Sequence, residues 1–346
     1  MVRRRGRVTI RDVAAKAGVS ITAVSHALNG KGSLSDRTRE RVRAAAVELG
    51  YEADVLARAM RDKPMGAVGL IIRPLDELGD YRPQGVDFFT RFSGSAAHAA
   101  ADRGLGLMLV PDAAHVEWSP LARSLDGFII TDPTVDDPTL KKLEGRDIPV
   151  VTVGQVPKST DSDQWVSTDD FGNATKLLEL LHARGASDLV LVAGTDDNAW
   201  NLDAIGALQR WQSSTGATAR VERVREAEGE QGGRRIARQL VESGIPEAVF
   251  CLTGRHAAGL CSSLTEAGVR VPEDVLVAAL SDSEQTRSAG ITAIDMQPDQ
   301  LALAAVDLID CLVREDPRAS QINQSIIVGE MLERASTAPN ACASPR

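Results

Sequence analysis

Aromatic residues make up only 3% of this 346-residue chain, too few for the successive base-stacking platforms of a single-strand nucleic-acid binder. Cysteine is scarce as well. Cys251, Cys261, Cys311 and Cys342 are scattered, with no CxxC pair and no histidine at ligand spacing. A zinc site and a disulfide framework are therefore not expected, and reduced thiols in a cytosol are the default. No stretch approaches the ~18 consecutive apolar residues that a membrane span needs. Arg3 to Arg5 has the charge of a signal-peptide start, but Arg11 and Asp12 arrive before any apolar run, so secretion is not expected. Nucleophile-elbow, Walker and His-Glu-x-x-His motifs are missing too. Asp169 and Asp170 are paired carboxylates, yet they open a helix, where capping and the helix dipole account for them. Gly66 to Gly69 stands at the start of a strand, whereas a dinucleotide fingerprint places its glycines after one. The expectation is a cytoplasmic protein that is not an enzyme, with no cofactor, no metal and no membrane contact.

What is present is an ordinary globular composition, 43% hydrophobic and 25% charged, on a chain long enough for two or three domains at ~150 residues each. The charge is unevenly placed. Met1 to Lys63 holds 14 Lys and Arg against 7 Asp and Glu, a net of +7, while the whole chain is −9 and the remainder therefore −16. One end is suited to approach phosphates and the rest is not.

Within the basic end, TIRDVAAKAGVSITAVSHALN (Thr9 to Asn29) reads as helix, tight turn, helix. Ile10, Val13, Ala14 and Ala17 fall at helical spacing, Gly18 and Val19 interrupt, and Val24, Ala27 and Leu28 resume it. Thr9 and Ser20 stand where N-caps belong, since a hydroxyl there accepts from otherwise unpaired amides. Thr38 to Leu49, with Val42, Ala45, Ala46 and Leu49 on one face, supplies the third helix that closes the core. The second helix is left outward, in the manner of a recognition helix in the DNA major groove. Ile21, Thr22 and His26 are placed to face base edges, through a methyl contact, a hydroxyl and a ring nitrogen respectively, and Ser25 and Asn29 to reach phosphates. Met1 to Arg7 reads as a basic arm.

The run from Val8 to Tyr51, VTIRDVAAKAGVSITAVSHALNGKGSLSDRTRERVRAAAVELGY, resembles the N-terminal domain of the lactose/galactose repressor (LacI/GalR) family. The resemblance implies that Ile21, Thr22 and His26 read a DNA half-site, with His26 similar to the purine-repressor branch where most members carry arginine. Asp54 to Arg61, DVLARAMR, resembles the family's hinge helix, which folds over the minor groove when two protomers meet and wedges an apolar side chain between base pairs. At one or two turns it is too short to be stable alone. Asp54 can cap it, Arg58 and Arg61 can sit near phosphates, and Met60 stands where the family usually has leucine. Thr9, Ser20, Ile21, Thr22, Ser25, His26, Asn29, Arg58 and Met60 form the expected DNA-binding set.

From Ala67 onward short apolar runs alternate with amphipathic helices, for example strands at Ala67–Ile72, Gly127–Ile130, Leu189–Ala193 and Ala248–Leu252 and helices at Phe171–Arg184 and Pro298–Val313. That alternation means parallel sheets covered on both faces, and the strand count suggests two doubly wound lobes. Trp165–Gly194, Val269–Asp282 and Met331–Thr337 resemble family landmarks, which extends the resemblance to Pro339. The expected fold is an N-terminal all-α helix-turn-helix domain plus an α/β periplasmic-binding-protein-like core of two doubly wound parallel-sheet lobes. The expected bounds are 1–52 for the helix-turn-helix domain, 53–65 for the hinge and linker, and 66–346 for the core. Lobe 1 is expected at about 66–165 and 292–320, lobe 2 at about 166–291 and 321–340.

Small polar ligands bind such cores in a cleft at the C-terminal ends of the strands. Arg73, Gly154, Gln155, Thr195, Asp196, Trp200, Thr253, Ser281 and Asp282 stand at strand ends, and Phe88 and Phe89 offer an apolar wall. The chain departs from the family where it matters for such a ligand. Where sugar- and purine-binding members place an arginine, NAWNLDAIGAL puts Asp203 or Ala204; Thr253-Gly254 and Ala279-Leu280-Ser281 stand where two carboxylate-bearing motifs are expected. Losing a bidentate arginine and two carboxylates removes the groups that would hold sugar hydroxyls. Either the pocket takes a less polar or differently charged ligand, with Trp200 as a stacking face, or effector control has decayed and the protein is a constitutive DNA-binding regulator with a vestigial or protein-binding pocket. The partners implied are a double-stranded operator, a small-molecule effector (sugar, nucleoside or other metabolite) and a second copy of the chain. No leucine heptads follow Met331, so a tetramerising coiled coil is not expected.

Overall fold

A computed structural model of the chain describes residues 9–28, 34–49, 64–73, 87–158 and 164–339. It divides into two compact units, Met1–Met65 and Gly66–Arg346.

The first unit contains helices α1 (Ile10–Ala17), α2 (Ile21–Leu28) and α3 (Asp36–Leu49). Their ends follow from local chemistry. The Asp12 carboxylate accepts from both the amide and the hydroxyl of Thr9, each at 2.7 Å, and these bonds hold its pKa below the ordinary carboxylate value. Gly18, at φ 64°, stops α1 in the left-handed region and donates its N–H to the Ala14 carbonyl. Ser20 Oγ then accepts from the Ala23 amide at 3.1 Å and starts α2. Val13, Ala14, Ala17, Val24, Ala27, Val42, Ala45 and Ala46 are buried together. Five of these eight are alanine, which lets three short helices pack closely around a small core.

The second unit carries two six-stranded sheets. The first joins β1 (Ala67–Ile71), β2 (Gly106–Leu109), β3 (Phe128–Thr131), β4 (Val150–Val153), β5 (Trp165–Thr168) and β11 (Gln324–Ile327) in the order β11-β5-β4-β3-β1-β2, all parallel. The second joins β6 (Asp188–Ala193), β7 (Thr218–Arg223), β8 (Ala248–Cys251), β9 (Leu276–Ala279), β10 (Thr292–Asp295) and β12 (Glu330–Leu332) in the order β12-β10-β9-β8-β6-β7, with only β12 antiparallel. Helices cover both faces: α4 (Asp87–Asp102), α5 (Pro138–Glu144), α6 (Asp170–Ala183), α7 (Ala199–Thr215), α8 (Gly229–Ser243), α9 (Gly254–Glu266), α10 (Glu284–Ser288) and α11 (Pro298–Val313). Strands β3, β8 and β9 are buried at every position, which is why they read as unbroken apolar runs. Edge strand β7, TARVER, is mostly exposed, and no apolar period in the sequence betrays it. Helices α8 and α9 approach through glycine: a Cβ on Gly233 would strike the His256 carbonyl, and one on Gly259 the Glu230 carbonyl.

The expected lobe boundaries need correction. β5 lies wholly in the first sheet, so the chain first crosses after Thr168. β10, expected in lobe 1, pairs with β9 and β12 of the second sheet, and β11, expected in lobe 2, pairs with β5 of the first. Helix α11 does pack in lobe 1, against Val68, Phe92 and Ile129. A β-strand joins whichever sheet satisfies its backbone hydrogen bonds, and short apolar runs such as these are compatible with either.

Candidate functional site

On the first unit, α2 turns Val24 and Ala27 into the core and leaves the opposite side open. Ile21 is 45% exposed despite being aliphatic; Thr22 beside it is exposed, and Ser25 and His26 one turn on are half-buried. Thr9 and Ser20 are engaged as caps at the starts of α1 and α2. Asn29, Arg58, Met60 and the hinge segment lie outside the described residues.

In the second unit a cavity of about 100 Å³ opens between the lobes at the C-terminal ends of their strands. Of the residues expected there, Phe88, Phe89, Trp200, Thr253, Ser281 and Asp282 line it. Arg73 and Gln155 do not, nor do Gly154, Thr195 and Asp196. Arg73 is consumed structurally: it donates to Asp137 at 2.6 Å and lies 3.2 Å from Asp112. Asp137 in turn caps α5 by accepting from the amides of Thr139 and Leu140. Gln155 is exposed. A place at a strand end is common to all of these; the loop that follows decides which side chains turn inward.

The cavity also has walls that sequence reasoning missed, among them Asp87, Asp132, Glu226 and Arg255. The strand-end rule, applied to β3, would have found Asp132. Glu226 follows the unread strand β7. Phe88 meets Phe89 edge-on with centroids 5.3 Å apart and lies nearly parallel to Phe92 at 6.2 Å, which stiffens the aromatic wall. Asp132 is half-buried, and burial, opposed by the charge of Arg73, pushes its carboxyl up to about 6. Behind it, buried Asp170 is pushed up to about 8 by burial and accepts from the Thr168 hydroxyl. Asp203 occupies the half-buried place where a ligand-gripping arginine was expected, and burial together with Asp169 raises its pKa. Asp282 is the opposite case. Burial opposes its ionisation, but hydrogen bonds from Thr286, Arg334 and Arg287 more than offset that and keep its pKa low.

Direct contacts tie the lobes. Arg287 of α10 donates to Asp87 of α4 at 3.0 Å, and the Val135 amide donates to the Asp197 carbonyl at 3.1 Å. Among the described residues no cluster of His, Cys, Asp and Glu is arranged to hold a metal ion, and no helix is long and apolar enough to cross a membrane.

Comparison with known proteins gives two matching families, "Bacterial regulatory proteins, lacI family" over residues 9–54 and "Periplasmic binding protein-like domain" over residues 178–337. An HTH-type transcriptional regulator of Mycolicibacterium smegmatis is 38% identical over 194 residues, a match spanning 54% of this chain and only 51% of that protein. The HTH-type transcriptional repressor PurR of Vibrio atlanticus is 28% identical over 287 residues, covering 80% of this chain and 82% of the relative. The Lac repressor dimer bound to operator and the anti-inducer ONPF has a similar fold, with a TM-score of 0.74 at 22% identity over 96% of this chain and 99% of that one.

Proposed function

We propose that the chain is a DNA-binding transcriptional regulator of repressor type of the lacI family, as its lacI-family segment at residues 9–54 and its periplasmic-binding-protein-like domain at 178–337 support, and that it works as follows. Two copies pair through their cores and set two α2 helices against a pseudo-palindromic operator. Ile21, Thr22 and His26 read base edges, while Thr9, Ser20, Ser25, Asn29 and Arg58 hold the backbone and Met60 wedges the minor groove. The working division is 1–52 for the DNA-binding head, 53–65 for the hinge and 66–346 for the core, acting in the cytoplasm. A small molecule in the interlobe cavity, touching Phe88, Phe89, Trp200, Thr253, Ser281 and Asp282, shifts the balance between lobe arrangements. That changes how readily the hinge forms on DNA.

The observation that carries this reading is the cavity itself, walled from both lobes and bridged by Arg287 and Asp87, because a ligand seated there has different contacts in open and closed arrangements. A constitutive regulator with a vestigial pocket is the competing reading, and the mutually packed rings of Phe88, Phe89 and Phe92 at the cavity speak against it. Two measurements test the proposal. Inverted-repeat duplexes should be bound in preference to random duplex, and a metabolite panel screened by thermal shift should contain a compound that also alters operator affinity. Tight operator binding that no ligand changes would favour the constitutive reading.

A further inference from the structure

Resting on the cleft as the effector site, the geometry points to an organic cation as its ligand: an amine or amidine on a body about one ring in size, its charge on Asp132 and its ring against Trp200 and Phe88. The charges around the cavity decide this. Asp87 and Asp282 are matched by Arg287, at 3.0 and 2.9 Å, and Asp282 also by Arg334 at 2.8 Å. Arg255 donates to the Glu226 carbonyl at 3.0 Å and lies in the field of the Glu226 and Glu230 carboxylates. Asp132 is left with a hydrogen bond from the Thr131 side chain and no cation of its own. Among the described residues the cation near it is Arg73, which already serves Asp112 and Asp137. The other charged groups facing it are Asp196 and Asp170, both acidic. Asp203 and Asp169 add to the same side rather than supplying the arginine that would grip a sugar.

A carboxylate withdrawn from water without a countercharge is costly, and a bound cation removes that cost while making a charge-assisted hydrogen bond in a poorly screened place. A polyol would gain only ordinary hydrogen bonds. The aromatic wall suits a cation as well, since ring faces attract positive charge. A space of about 100 Å³ takes about one ring, not a disaccharide.

Benzylamine and benzyl alcohol share one ring and differ in ammonium against hydroxyl, so calorimetric titration of the full chain with each at pH 7.5 isolates the charge. Benzylamine should bind about tenfold or more tightly than benzyl alcohol, and Asp132→Asn should bring the two within about twofold. Asn suits the left-handed φ of 47° at this position and removes the cost of a buried charge, so the variant should fold with a melting temperature no lower than the parent's. Trp200→Leu provides a second variant, which should weaken benzylamine by about threefold or more. Equal binding of the two probes, a preference that survives Asp132→Asn, or no benzylamine binding up to about 10 mM overturns the assignment. Glucose or adenine binding and shifting operator affinity in place of benzylamine would also overturn it while leaving the effector reading intact. Benzylamine binding through Asp132 with operator affinity unchanged would leave the cation site standing and remove effector control.

Discussion

Arg287 reaches across the cleft to Asp87 at 3.0 Å while holding Asp282 of its own lobe at 2.9 Å. One guanidinium thus ties a loop-end residue of the second lobe to the first residue of α4 in the first. The tie can form only when the lobes are close, because α10 and α4 belong to different sheets' coverings.

Arg287 is 44% exposed on its side chain, so solvent screening limits the bridge to less than about 1 kcal/mol. Two-state domain equilibria are in general balanced within a few kcal/mol, so on the proposed lobe motion Arg287→Gln should shift the balance toward open forms by about two- to fivefold. Small-angle scattering or a distance measured between labels on α4 and α9 would register the shift. An unchanged distribution would show that the other contacts between the lobes, the Val135–Asp197 hydrogen bond and the Arg91–Asp295 pair at 3.5 Å among them, hold the cleft.

His26→Ala should relax base preference at one position of the half-site, with a loss of about 1–3 kcal/mol for the preferred base. Affinity for random duplex should barely move, because backbone contacts carry it. Binding to a randomised half-site library reads both; preference intact at every position would remove His26 from base reading.

The +7 head predicts operator binding that falls steeply with salt, since phosphate contacts release counterions. Arg58→Ala should weaken binding to all sequences alike and lower the salt slope by about 1. A sequence-selective loss would mean that Arg58 touches a base edge instead.

Asp170 sets a pH dependence. Its ordinary value is 3.8 and the fold raises it to about 8, chiefly by burial. Below pH 3.8 folded and unfolded chains both hold the proton and burial costs nothing extra. As pH rises the unfolded chain ionises first, so the stability present in acid is lost progressively up to about pH 8 and then levels off. Asp170→Asn, which keeps an acceptor for Thr168, should flatten the fall in melting temperature between about pH 5 and 8. A variant whose profile matches the parent's would place the titrating group elsewhere, at Asp132 or Asp203.

Gly233→Ala should destabilise the second lobe by about 1–3 kcal/mol through overpacking, because the new methyl meets the His256 carbonyl on a rigid helix rather than a side chain that can swing away. Urea unfolding with operator binding as control would show it; a neutral effect would mean that α8 and α9 can part without cost.

Read alone, the amino-acid order was enough for whatever depends on neighbours along the chain. The Thr9 and Ser20 caps, the Gly18 turn, the outward Ile21–His26 face, the concentration of positive charge before Lys63 and the alternation of buried strands with helices all follow from local spacing, charge and backbone preference. The number of candidate strands, together with the family resemblance, pointed to the two-lobed plan. What required the tertiary structure was every choice made between distant segments. Sheet membership of β10 and β11 depends on hydrogen bonds to strands far away in sequence, and β7 is a strand only because β6 offers it an edge. Likewise Arg73 and Asp132 both follow strands of lobe 1, and neither pattern nor propensity separates them. Arg73 meets Asp112 and Asp137 and is spent on the scaffold, whereas Asp132 meets no countercharge of its own and faces the cleft. Long-range pairing, which local sequence does not encode, assigned one to structure and the other to the site.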